Sequence, residues 1–138
     1  DTAILRDRLF NDIKSTNPKS VTVFLDTCYS GTTRGTDMLI ASRPIAIRAL
    51  EQSIPSNFTV FSAAAGDQTS KPLKEAKHGM FSYFLMKGME GDADSNNDNK
   101  ITARELHNYV KENVTQQSSG SQTPELQGNK DRVLVHFN

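Results

Sequence analysis

Val21-Thr22-Val23-Phe24-Leu25-Asp26-Thr27-Cys28-Tyr29-Ser30-Gly31 is the stretch from which the rest of this chain is read. Its first five residues are a short, β-rich apolar run, the pattern of a strand buried on both faces. The run stops at Asp26, and the chain's single cysteine follows two residues later. In open α/β sheets, ligands bind in the crevice beyond the carboxyl ends of the strands. A cysteine at that point is placed to act rather than to fill a core, and Gly31 would let a substrate backbone come close. Residues i and i+2 of a strand share a face, so Asp26 and Cys28 are expected to address one pocket.

On either side of this stretch, helical and extended patterns alternate. Residues 2–15 put Leu5, Leu9 and Ile13 at helical spacing, and Asn17-Pro18-Lys19-Ser20 ends that helix. Residues 29–38 are rich in Gly and Thr, as in an exposed loop, and Pro44 opens a helix running to about Gln52. A second strand covers residues 58–65 and breaks at Gly66-Asp67. Phe81, Phe84, Leu85, Gly88 and Met89 keep helical spacing, as do Leu106, Tyr109, Val110 and Val114, with an Asp/Asn-dense stretch at 92–99 between them. A Ser/Gln/Gly-rich loop at 115–124 leads to a last strand at 132–137, expected in the same sheet as the first two. Helices alternating with apolar strands predict an α/β sandwich.

Composition narrows the function classes. Sixteen basic residues balance sixteen acidic ones, so no global field directs the protein to nucleic acid or to an anionic membrane. No apolar run is long enough to span a bilayer, and nothing near Asp1 resembles a signal peptide. A soluble, cytoplasmic protein is expected. One cysteine excludes an internal disulfide and a multi-cysteine metal site. Lone cysteines are usually small buried hydrophobes, so the neighbours of Cys28 must decide its role.

An apolar strand followed by Asp26-Thr27-Cys28-Tyr29-Ser30-Gly31 resembles the nucleophile segment of the caspase-like cysteine peptidases, in particular their metacaspase and bacterial orthocaspase branch. Three more motifs follow in that family's order: Ser62-Ala63-Ala64-Ala65-Gly66-Asp67-Gln68-Thr69-Ser70, then Gly79-Met80-Phe81-Ser82-Tyr83, then Gln122-Thr123-Pro124-Glu125-Leu126. Together they span nearly the whole chain. The resemblance implies a caspase-like α/β/α sandwich, with residues 1–138 as the C-terminal part of one peptidase domain. The sheet would be mostly parallel, flanked by helices and incomplete without an upstream segment.

The resemblance also implies a cysteine endopeptidase with Cys28 as nucleophile, working through a Cys-His dyad and a thioester. A free thiol is only about 3% ionised at pH 7, so it needs an activating partner. In this family that partner is a His-Gly on the strand before the cysteine strand, and here no histidine precedes Cys28. His78-Gly79 lies downstream, where the family pattern has no catalytic role; His107 and His136 read as structural or surface residues. The expected partner is therefore a companion N-terminal chain or segment carrying the histidine. With no initial Met, the chain reads as a fragment or processed subunit, inert alone. By the same resemblance, Asp26 lines the first specificity pocket and binds Arg or Lys of a protein or peptide substrate. Asp67 is the candidate second carboxylate. The plainer alternatives are a strand-end acid capping a loop, for Asp26, and a Gly-Asp turn, for Asp67.

Residues 94–105 fit the twelve-residue EF-hand loop. Asp94, Asn96, Asp98 and Thr102 offer oxygens at positions 1, 3, 5 and 9, Lys100 its carbonyl at position 7, and Glu105 closes the loop at position 12. Asn99 replaces the usual Gly at position 6; Asn is the next best residue for a left-handed conformation. Thr102-Ala103-Arg104-Glu105 is equally a capping box. The sequence allows both a Ca2+ ion here and a metal-free helix cap, and no cofactor is expected for catalysis. Two other readings stand beside the peptidase: a catalytically silent caspase-fold scaffold, and a calcium-binding interaction module in which Cys28 is incidental.

Overall fold

A computed structural model of the protein describes residues 6–26, 54–65, 72–73 and 78–138. In chain order the elements are α1 (Arg6–Ser15), β1 (Val21–Leu25), β2 (Phe58–Ser62), the paired β3 (Pro72–Leu73) and β4 (His78–Gly79), α2 (Met80–Lys87), β5 (Lys100–Thr102), α3 (Ala103–Gln117), β6 (Glu125–Gly128) and β7 (Val133–His136). A π-helical turn, Gly88–Asp92, follows α2.

β2 is the middle strand of the main sheet. β1 lies parallel to it, with Val21 opposite Phe58 and Leu25 opposite Ser62, and the Ala63 amide donates to the Leu25 carbonyl just beyond. β6 lies antiparallel on the other side, Phe61 opposite Leu126. The period of two along β2 sends alternate side chains to opposite layers. Phe58 and Val60 pack with Phe10 of α1, beside Ile13, Val21, Val23, Leu25 and Ile54. Phe61 and Ala63 enter the larger core with α2 and α3. A helix layer on each face makes the α/β/α sandwich. Complete burial of Phe58 and Phe61 stabilises the sheet by about 1.5–3 kcal/mol each.

α3 begins where its sequence stops being extended. Thr102 is the N-cap, its hydroxyl accepting from the Glu105 amide, while the Glu105 side chain reaches back to the Thr102 amide. Ala103, Leu106, Val110 and Val114, one stripe of the helix, are fully buried. The helix runs through Gln117 and ends in left-handed residues Ser119 and Gly120. Gly88 lets α2 close onto α3, because a Cβ there would lie 2.7 Å from Leu106 Cδ1.

Five local expectations change. β1, expected to be buried on both faces, is half-buried with Phe24 39% exposed, and the strand expected over 58–65 ends at Ser62. The buried residue of α1 is Phe10, 5% exposed, while Leu9 is 38% exposed; the Phe10 ring sits 5.3 Å from that of Phe58, which turns the helix about its axis. Leu5 lies outside the described residues. The strand at 132–137 does not join the main sheet: β7 pairs with β5, and β6, within a motif not read as a strand, takes the place beside β2. Helix α3 also absorbs the first residues of the expected 115–124 loop. The expected loop at 29–38 and helix at 44–52 lie outside the described residues. Among the described residues, no helix is long and apolar enough to cross a membrane.

Candidate active site

The carboxyl end of β1 is where chemistry was expected, and Asp26 is the described residue there. Phe24 and Asp26 share a strand face. Phe24 lies against Phe61, ring centroids 5.1 Å apart, on the layer of α2 and α3. Asp26 continues in that direction, and its side chain meets the first turn of α2, where Ser82 Oγ donates to Asp26 Oδ2 at 2.6 Å. The same oxygen lies over Gly79, so close that a Cβ on Gly79 would sit 2.8 Å from it. Asp26 is nevertheless solvent-exposed. A carboxylate is thus held at the carboxyl end of β1 by two residues 53 and 56 positions further along the chain. Cys28 and Asp67 lie outside the described residues.

Just past the end of β2, Gln122 is fully buried, and its Nε2 donates to the Ala63 carbonyl at 2.8 Å. Its own backbone is clasped by Ser118 Oγ, which bonds the Gln122 amide and carbonyl. The end of β2 is therefore tied to the turn after α3. His78 and Gly79 form β4, paired with Leu73 and Pro72. His107 is half-buried, with Nε2 3.0 Å from the Pro124 carbonyl, and burial lowers its pKa from the ordinary imidazole value. His136 is exposed on β7 opposite Lys100.

The acidic loop forms a second cluster. Carboxylate oxygens of Asp94, Asp98 and Glu105 lie within 4.8 Å of one another. Asp94 accepts from the amides of Asp98 and Asn99, Asn96 Oδ1 accepts from the Asp98 amide, and Asp98 Oδ1 accepts from the Lys100 amide. Asn99 adopts φ 61°, the left-handed geometry that position 6 of the loop requires. Ile101 is fully buried and pairs with Val135. The capping box is also real: Glu105 Oε2 accepts from Thr102 N and Oγ1, both at 2.9 Å, and Oε1 from Ser95 Oγ. Tyr109, on α3, donates to Asp92 at the end of the π-helical turn; burial and the nearby Asp92 charge raise its pKa.

A family model described as the caspase domain matches residues 2–135. The chain belongs to the caspase domain family. It is a cysteine peptidase domain with the α/β fold of that family. A search of the curated proteins found no match. Sequence reasoning singled out Asp26 in this caspase domain but missed Ser82 and Gly79 as its neighbours, and Gln122 as the residue that ties down the end of β2. Ser82 and Gly79 stood in a motif already noticed, and Gln122 in another, yet nothing local to either motif points to residues so far away.

Proposed function

We propose that this caspase domain is the nucleophile-bearing part of a cytoplasmic endopeptidase of the metacaspase and orthocaspase kind, cleaving after Arg or Lys. The observation that supports it most is the exposed Asp26 carboxylate at the end of β1, two residues before Cys28. A substrate guanidinium or ammonium meets an opposite charge there, and a substrate Asp meets a like one. Asp67 is the second carboxylate of this pocket.

Cys28 as thiolate attacks the carbonyl carbon that follows the basic side chain, and its own backbone N–H donates to the oxyanion. The tetrahedral intermediate collapses as the C–N bond breaks. The amine leaves with the proton that the histidine took from the thiol, and a thioester remains. Water, giving its proton to the histidine, then hydrolyses the thioester and regenerates the thiol. In this reading the histidine comes from a companion segment. Two facts support such a partner: β1 is an edge strand among the described residues, and Phe24 on it is 39% exposed. An open strand edge is a template for another strand. The same basic preference makes Arg34, Arg43 and Arg48 targets for self-cleavage.

Alongside the peptidase site, one Ca2+ ion binds at Asp94, Asn96, Asp98, the Lys100 carbonyl and Glu105, with Thr102 reaching it through water. The all-oxygen donor set and the left-handed Asn99 support this. Glu105 would exchange its Thr102 and Ser95 bonds for the ion, and affinity falls on the order of micromolar to millimolar.

The test is a set of peptides that differ only at the residue before the scissile bond, with the histidine-bearing segment present. Asp26→Asn should lower cleavage after Arg and Lys about ten- to hundredfold, less than a fully buried pair would because Asp26 is exposed. An unchanged preference would make Asp26 structural.

A further inference from the structure

Helix α2 opens at Gly79 with no side-chain cap on its first turn. The polar group that arrives there comes from another part of the chain, the Asp26 carboxylate. Ser82, the third residue of the helix, donates to Oδ2 at 2.6 Å, a short, charge-assisted contact. Gly79 supplies the other wall: its missing side chain is the space that Oδ2 fills. A carboxylate on an exposed strand end has free χ rotation unless something holds it. These two contacts, one attractive and one steric, hold this one.

From this we infer that Ser82 is a positioning residue for substrate specificity: its hydroxyl orients the Asp26 carboxylate toward the cationic side chain of the substrate. The inference rests on the basic-pocket reading above and adds to it the group that sets the carboxylate's geometry. The chemistry permits both contacts at once. A carboxylate offers about four lone-pair sites. Ser82 uses one on Oδ2, while a forked guanidinium uses one on each oxygen. With the Ser82 bond gone, the carboxylate loses the contact that fixes Oδ2 against the first turn of α2. The loss then falls on substrates that need the charge, and spares those that do not.

The experiment compares an Arg peptide with its neutral isostere, a citrulline peptide, in the active enzyme with the histidine-bearing segment present. The readout is the ratio of the two kcat/KM values, which does not change with the fraction of protein that folds. Ser82→Ala should lower this ratio about tenfold, mainly through KM, the scale of one hydrogen bond to a charged group. Ser82→Thr keeps the hydroxyl and should restore most of it. In an Asp26→Asn background, Ser82→Ala should change the ratio no further. An unchanged ratio in Ser82→Ala, together with a collapsed ratio in Asp26→Asn, overturns the role of Ser82 and leaves the pocket standing. Equal losses on both peptides in Ser82→Ala make Ser82 a packing residue and also overturn it. If Asp26→Asn itself leaves the ratio unchanged, the basic-pocket reading fails, and the inference with it.

Discussion

Replacing Gly79 by Ala should damage the specificity pocket while leaving the fold intact. Gly79 has φ −58° and ψ 139°, a conformation any L-residue adopts, so the backbone raises no objection to a Cβ. Restricting the unfolded chain even favours Ala by about 0.4–1 kcal/mol. The cost falls on the neighbour instead. The new Cβ would stand 2.8 Å from Asp26 Oδ2, and ordinary contact begins at 3.4 Å, so the carboxylate must retreat by about 0.6 Å. Asp26 is exposed and can turn aside, which keeps the thermodynamic penalty small and moves the charge off its place. A misplacement of 1 Å in a site can cost about a hundredfold, so a loss of about tenfold in kcat/KM for Arg and Lys peptides is expected. Thermal unfolding should stay within about 1–2 °C of the wild type, or rise slightly. The assay pairs peptide kinetics with a melting curve on the same preparation. Full activity on Arg peptides with an unchanged melting temperature would refute the reasoning: Asp26 would then stand elsewhere, or select nothing.

Cys28→Ala should abolish peptide cleavage in the enzyme with its histidine-bearing segment while circular dichroism stays native; residual turnover at the wild-type rate would remove Cys28 as nucleophile. Gln122→Ala should destabilise the domain by about 2–3 kcal/mol in urea unfolding, since it leaves the buried Ala63 carbonyl without its Gln122 partner and opens a void beneath β2. Burial lowers the His107 pKa, so below the ordinary value of about 6.5 the unfolded chain takes up a proton before the folded one does. Stability is therefore whole above that pH and declines as pH falls from it toward the folded value. Urea midpoints measured from about pH 5 to 8 should show this slope in the wild type and a flatter one in His107→Gln. Calorimetry should detect one Ca2+ ion in the wild type and a much weaker signal in Glu105→Gln; no heat at millimolar calcium would leave the capping box as the whole role of this loop.

The sequence by itself determined the parts of this protein that repeat over a few residues. The apolar run at 21–25, the one that opens at Phe58 and the helical spacing of Leu106, Val110 and Val114 are written locally, and each forms the element that its pattern requires, although β1 is half-buried rather than buried on both faces. Motif order sufficed to point to the family, and Asp26 and the 94–105 loop were visible as chemistry in a pattern. What only the tertiary structure decided is which distant groups meet. Glu125-Leu126-Gln127-Gly128 carries one apolar side chain, too little to read as a strand, and becomes one because the open edge of β2 needs a partner. Val133-Leu134-Val135 looks like a core strand, yet it pairs with the end of the acidic loop, and Val133 stays 47% exposed. Phe10 rather than Leu9 faces the sheet because an aromatic partner waits at Phe58. The hold of Ser82 and Gly79 on Asp26 has no local signature at all. A hydrogen bond between residues 56 apart exists only once the end of β1 and the first turn of α2 have been brought side by side, and that packing is a property of the whole chain.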